Sequence, residues 1–383
     1  MDCHCGNPKQ KLFNSKFMQH WLLNARVFTG TEWLAQAHVC IEDDRIAHIS
    51  TQLPEALPEH FDCKGMMLVP AFLDAQIYGG GSRLFAQYPE PESLALLAAD
   101  NRHGGTAQCL VTIPTLPMHS ILNCLDGLNA YLHEGGDGII GLHLEGPFIH
   151  PEKRGAHTLA DIRQPTAEDV KQILDRAQGH LKMITLAPEQ CSDEVLRLLS
   201  DAGVVISAGH SNASYEQARA FDNRGVKTVT HLFNAMSPIH HRAPGLTTAV
   251  FESPSLMASI IPDGIHVHYS LLRMAKQLMG PRLFYITDAV TPTSEGPYQH
   301  VLNRDHYALP NGTLSGSSLT MLQAVVNGIT HAGIPPEESL RMASLYPARL
   351  LGMDADYGSI AIGKKASLLL LNEKWELVKV FGF

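Results

Sequence analysis

Apolar residues along this chain of 383 residues gather in short runs, and the runs end in polar residues able to do chemistry. Eight such runs are LVPAFLDAQ (68–76), AQCLVTIP (107–114), GIIGLHLEG (138–146), LKMITLAPE (181–189), VVISAGH (204–210), TVTHLFN (228–234), LMASIIPDG (256–264) and RLFYITDA (282–289). Eight other segments carry apolar residues every three or four positions, and many stop at glycine, the mark of a helix closed by a left-handed cap. They are ESLALLAADNRHGG, SILNCLDGLNAYLHEGG, AEDVKQILDRAQ, DEVLRLLSDAG, YEQARAFDNRG, YSLLRMAKQLMG, SLTMLQAVVNGITHAG and EESLRMASLYPARLLG. Strands alternating with helices in this number predict an α/β fold, a (β/α)₈ TIM-like barrel over residues 68–353. A buried strand that finishes in His, Glu or Asp is how such a barrel presents an active site at its C-terminal face, so the pattern predicts an enzyme.

The two ends of the chain read differently. WLLNARVFTG, AHVCIEDDRIAHIS and DCKGMML form short alternating stretches separated by turn residues and a proline-containing segment at 54–58, and the tail SIAIGKKASLLLLNEKWELVKVFGF is again strand-like. Residues 1–67 and 354–383 are therefore expected to pair into one small β-sandwich domain built from both chain ends, with 1–19 as an extension.

Composition narrows the function. Hydrophobic residues make up 45% and charged residues 17%, the balance of a globular protein with a large core. A net charge of -9 excludes a general nucleic-acid binder, which needs a concentrated basic face, while leaving room for a single anionic small molecule. No apolar run is long enough to span a membrane and MDCHCGNPKQ lacks the core of a secretory signal, so a cytoplasmic protein is expected. Seven scattered cysteines without a CxxC pair do not resemble a disulfide framework, and Cys3, His4 and Cys5 are expected to be an unstructured terminus.

Glu145, His210 and His231 stand at the ends of three of the predicted strands. Two neutral imidazoles and a carboxylate leave a fourth tetrahedral position open on a Zn²⁺ ion, the arrangement of a hydrolytic metal. Asp288, ending the eighth run, reads equally well as a turn cap or as a general base. His157, after PEKR, reads as an exposed loop histidine or as a group polarising a carbonyl.

The motifs LHLEGPFIHPEKRGAH, SAGHSNASYEQ, THLFNAMSPIHHRAPG, PDGIHVH, YITDAV and NGTLSGSSLTM, in this order, resemble those of the N-acetylglucosamine-6-phosphate deacetylases of the amidohydrolase superfamily, from about residue 20 to the C-terminus. The resemblance implies Glu145, His210 and His231 as metal ligands, Asp288 as the acid/base and His157 as the residue that polarises the acetamide carbonyl. It further implies Asn234 and Ala235 as sugar-phosphate contacts and His266 and Arg242 as phosphate contacts, with Arg242 reaching in from the other subunit of a homodimer. Leu314 matches a loop residue packed near the acetyl group, and His240 and His241 are left without a role. The implied reaction is hydrolysis of N-acetyl-D-glucosamine 6-phosphate to D-glucosamine 6-phosphate and acetate, in amino-sugar catabolism and cell-wall recycling.

One departure stands out. Superfamily members often carry His-x-His at the end of the first strand, and here the chain reads Asp74-Ala75-Gln76-Ile77-Tyr78. Gln and neutral Tyr are poor ligands for a transition metal beside imidazole. One divalent ion is expected, Zn²⁺ first, with Fe²⁺, Mn²⁺ or Co²⁺ as substitutes. Three other readings compete: a deacetylase for the galactosamine epimer, a dihydroorotase-like cyclic-amide hydrolase, and a sugar-phosphate-binding protein that has lost its chemistry. The fourth run ends LAPEQ without the lysine that bridges two metals in the dihydroorotase group, which disfavours that reading.

Overall fold

Eight strands pair in parallel, each with the next in sequence: Phe72–Ile77, Thr106–Ile113, Ile139–Glu145, Leu181–Leu186, Val205–Ala208, Val226–Val229, Met257–Ile260 and Leu283–Tyr285. They come from a computed structural model that describes residues 19–53, 59–304 and 306–382, so Cys3, His4 and Cys5 lie outside the described residues. The eighth strand does not ladder with the first along its length. The barrel closes higher up, where Asp288 N–H donates to the Gln76 carbonyl at 3.0 Å and Tyr78 N–H to the Ala289 carbonyl at 3.0 Å. Below that seam the wholly buried Asp74 carboxylate accepts from the Thr287 hydroxyl and, at 3.3 Å, from its N–H. The seam thus lies directly beneath the strand ends that carry the polar residues.

Seven further strands form a second sheet from both chain ends. Its central strand, Gln19–Phe28, pairs with Trp33–Glu42 on one side and, on the other, first with Glu59–Asp62 and then with Met67–Pro70. Asn24 in the middle has a left-handed backbone (φ 53°), and the register shifts beside it, so the strand changes direction and serves two neighbours. Leu368–Leu371 pairs with Met67–Pro70, and Leu377–Phe381 completes the edge. The four consecutive leucines are explained by burial on both faces: Leu368 and Leu370 enter the core of this sheet, Leu369 and Leu371 the core of the barrel.

Three features differ from the sequence expectation. The first run divides at Ala71, because Met67–Pro70 pairs with the tail while Phe72–Ile77 enters the barrel, so the small sheet extends past residue 67. A helix at Gly245–Glu252 fills the connection between the sixth and seventh barrel strands; GLTTAVFE spaces Leu246, Ala249 and Val250 by three and four, but over only eight residues that is too short a signal to reveal it. EESLRMASLYPARLLG is two helices, Pro336–Ala343 and Leu345–Leu350, parted at Ser344, whose backbone leaves helical geometry (ψ -71°, φ -131°). Elsewhere helix starts follow local chemistry: Thr166, Ser192, Ser214 and Thr320 each accept a backbone N–H with the side chain at the N-cap. Among the described residues no helix is long and apolar enough to cross a membrane, and the five described cysteines are buried and unbridged.

The helix after the eighth strand, Met321–Thr330, packs so closely on the barrel that a Cβ at Gly328 would lie 2.0 Å from Tyr285 Oη and 2.8 Å from Ser339 Oγ. Both neighbours are buried and hydrogen-bonded to each other at 3.2 Å, so neither has room to yield. Gly328→Ala is expected to destabilise the fold by about 1–3 kcal/mol through overpacking. A thermal or urea unfolding midpoint equal to that of the unaltered chain would contradict this packing.

Candidate active site

Glu145 is the last residue of the third barrel strand, while His210, His231 and Asp288 follow the fifth, sixth and eighth. The last three have left-handed backbones, with φ of 47°, 37° and 52°, as has Ala235 at 47°. Such conformations cost about 1–2 kcal/mol for a residue with a Cβ, and they gather where the surrounding structure enforces them, commonly at functional sites. The residue before His210 shows the enforcement. A Cβ at Gly209 would lie 2.5 Å from Thr185 Cγ2 and 2.9 Å from Thr230 Cβ, so only glycine passes between the flanking strands before the chain turns.

Glu145 Oε1 lies 3.1 Å from His231 Nε2 and 3.3 Å from His210 Nε2, and the two Nε2 atoms are 3.1 Å apart. His210 Nδ1 faces the Lys153 carbonyl at 2.7 Å. A carbonyl only accepts, so Nδ1 carries the proton and a neutral His210 presents a bare lone pair at Nε2. A carboxylate oxygen and an imidazole lone pair then face each other inside a buried pocket, an arrangement that a cation satisfies. The spacing fits as well: bonds of about 2.0–2.1 Å in a tetrahedron separate ligand atoms by about 3.3 Å. Among the described residues His231 Nδ1 has no hydrogen-bond partner, which leaves that ring free to present Nε2 as well.

His157 is buried, which removes the exposed-loop reading. Its Nε2 lies 3.3 Å from Glu145 Oε2, close enough for Glu145, His157 and His210 to count geometrically as a metal-binding group. Hydrogen bonding gives it another character. The Thr115 backbone N–H donates to His157 Nδ1 at 3.2 Å, so in the neutral ring the proton sits on Nε2 and points into the cavity as a donor. Burial, followed by the neighbouring His210, lowers its pKa and keeps the ring neutral.

Asp288 has a fully buried carboxyl whose pKa burial raises well above the ordinary value, with the charges of Glu145 and Asp74 adding to the rise and the Gln76 amide opposing it at 2.7 Å. A carboxyl whose pKa is raised in this way is suited to take up and return a proton. A cavity of about 190 Å³ connects these groups and is lined also by Asn234, Ala235, His266 and Leu314. The Asn234 amide is tied at 3.2 Å to the His231 carbonyl, and Asp263 accepts from His266 Nδ1 at 2.5 Å, turning Nε2 of that ring outward. Leu314 belongs not to a loop but to the strand Leu314–Ser317 of a small antiparallel sheet over the mouth. Arg242 does not line the cavity of its own chain; it is exposed beside His240 and His241, whose rings are 4.3 Å apart.

Sequence reasoning missed Thr115, Tyr298 and His300. Tyr298 donates to the Thr115 carbonyl at 2.7 Å and packs edge-on to His157, fixing the wall behind that ring. His300 stacks beside Tyr298, ring centroids 6.4 Å apart, with Nδ1 3.0 Å from Ser315 Oγ. GPYQH carries no strand or helix signal, so only the folded chain brings these residues to the site.

Burial lowers the pKa of His300 to about 4 from the ordinary 6.5. The sign follows from linkage: below about pH 6.5 the unfolded chain binds a proton that the folded chain refuses, so stability present above that pH is lost as pH falls toward 4. Replacing His300 by Gln removes this site's share. Between about pH 7.5 and pH 5 the unaltered protein should lose about 2 kcal/mol more stability than His300→Gln, read from urea midpoints at each pH. Parallel losses in the two proteins would show that His300 titrates normally in the fold.

Comparison with known proteins agrees with this geometry. The family model for the amidohydrolase family matches residues 67–381. The N-acetylglucosamine-6-phosphate deacetylase of Haemophilus influenzae is 31% identical over 372 residues, spanning 94% of this chain and 97% of that protein. The N-acetylgalactosamine-6-phosphate deacetylase of Escherichia coli O157:H7 is 30% identical, spanning 93% and 96%. The crystal structure of N-acetylglucosamine-6-phosphate deacetylase from Pasteurella multocida superposes with a TM-score of 0.91 at 31% identity, over 95% of this chain and 98% of that one. The chain belongs to the amidohydrolase family, among its N-acetylglucosamine-6-phosphate deacetylases.

Proposed function

We propose that the protein hydrolyses the acetamide of N-acetyl-D-glucosamine 6-phosphate to D-glucosamine 6-phosphate and acetate, with one Zn²⁺ held by Glu145 Oε1, His210 Nε2 and His231 Nε2. The observation that carries this reading is the meeting of the three lone pairs within 3.3 Å, beside a protonated donor and a buried acid. The bound ion would supply a Lewis acid and bring the pKa of water toward about 7; Fe²⁺, Mn²⁺ or Co²⁺ could serve in its place.

The protein's own groups account for the proton transfers. Asp288 removes a proton from the attacking water as its oxygen bonds to the acetyl carbon. Negative charge develops on the former carbonyl oxygen, where His157 Nε2–H donates a hydrogen bond that strengthens with the charge. Asp288 then returns its proton to the sugar nitrogen, the C–N bond breaks, and the amine leaves with acetate as co-product. Leu314 packs against the acetyl group, and Asn234 with the Ala235 backbone holds the sugar. His266 Nε2 and Arg242 from the second subunit of a homodimer bind the phosphate through charge-assisted hydrogen bonds, orienting the acetamide far from the anchoring point. Exposure of Arg242 on its own chain favours this role in trans. The setting is cytoplasmic amino-sugar catabolism and cell-wall recycling.

Free-amine release from the phosphorylated sugar, from its galacto epimer and from the unphosphorylated sugar tests this reading. Turnover should be abolished by a chelator and restored by Zn²⁺, fastest on the gluco phosphate ester, and reduced about 10²–10⁴-fold in kcat by Asp288→Asn. Faster turnover of the galacto epimer would replace the substrate and keep the chemistry. No turnover under any condition would remove the reaction.

A further inference from the structure

Gln76 and Tyr78, which end the first barrel strand, take no part in the proton transfers above, yet both are buried against Glu145. The Gln76 amide nitrogen is 3.1 Å from Glu145 Oε1, 2.7 Å from Asp288 Oδ1 and 3.2 Å from Tyr78 Oη. All three are acceptors, and the amide has two hydrogens to share among them. Tyr78 Oη in turn bonds Glu145 Oε2. A carboxylate has no hydrogen to give, so the phenol donates. His157 Nε2–H, 3.3 Å away, is a second donor to the same oxygen.

The two oxygens of Glu145 therefore differ. Oε2 faces hydrogen-bond donors from Tyr78 and His157, while Oε1 accepts from the Gln76 amide alone and otherwise faces Nε2 of His210 and His231. An oxygen committed to two donors has little electron density left for a metal, so the carboxylate is set to bind through one oxygen. The phenol ring is fixed by packing against Leu84, Val290 and Tyr307, and the Gln76 amide bridges Glu145 and Asp288.

We propose that Tyr78 is a positioning residue whose hydroxyl, held by Gln76, binds Glu145 Oε2 so that only Oε1 is offered to the metal. This rests on the metal reading of Glu145, His210 and His231 given above.

The test is the Zn²⁺ dissociation constant and metal content of the full-length protein, from competition with a chromophoric chelator and elemental analysis, without reference to activity. The unaltered protein should hold one Zn²⁺ per chain. Tyr78→Phe, which deletes a single oxygen and keeps the ring packed, should weaken Zn²⁺ binding about 10–100-fold. Tyr307→Phe, in the same apolar cluster but without a bond to Glu145, should leave it unchanged. Gln76→Leu should weaken it in the same direction and serves if Tyr78→Phe does not fold. Equal affinity in Tyr78→Phe and the unaltered protein would overturn the role of Tyr78 while leaving the metal site standing. No zinc in the unaltered protein would instead overturn the underlying metal reading.

Discussion

The chemistry of this protein rests on one buried carboxylate with two unlike oxygens. Glu145 is almost wholly removed from water, and a bare carboxylate there would be costly without partners. Burial opposes its charge, and the hydrogen bond from His157 together with the neighbouring His210 and His231 rings more than offsets that, keeping the carboxyl well below the usual range. Its partners come from the ends of the first, fifth and sixth barrel strands and from the loop after the third. Only a closed barrel brings those strand ends to one point, so fold and site are one constraint. The seam between the first and eighth strands, joined through Gln76, Tyr78, Asp288 and Ala289, lies at the same level, and closing the barrel also places the acid beside the carboxylate.

Distinct jobs are assigned to similar side chains by their outer hydrogen bonds. His210 and His157 both point Nε2 at Glu145, within 3.3 Å of it. A backbone carbonyl behind His210 makes it an acceptor; a backbone N–H behind His157 makes it a donor. The loop that carries both Lys153 and His157 is itself anchored by His150 N–H on the His210 carbonyl at 2.8 Å, so one short segment sets the proton position of His210 and delivers the His157 ring. The local strain of the left-handed strand ends is maintained by the barrel around them.

Much of this was legible in the sequence. The strand runs showed because parallel strands buried on both faces need continuous apolar residues, and Glu145, His210 and His231 interrupt that pattern at its ends. Several things were hidden. GLTTAVFE is too short for its spacing to betray a helix, and LVPAFLDAQ reads as one apolar run although it crosses from one sheet to another. Local sequence left His157 open between an exposed loop residue and a site group because its burial depends on Tyr298 and Thr115, distant in sequence. The departure at Gln76 and Tyr78 was visible as a missing ligand pair, but what those side chains do instead depends on geometry that spacing cannot supply.

The most direct test of the whole account is X-ray absorption at the zinc edge of the purified, zinc-loaded protein. A single zinc with four light-atom neighbours near 2.0–2.1 Å, two of them showing imidazole scattering, is the predicted result. A zinc–zinc vector at about 3.5–4 Å, or a first shell without imidazole, would contradict the site built on Glu145, His210 and His231.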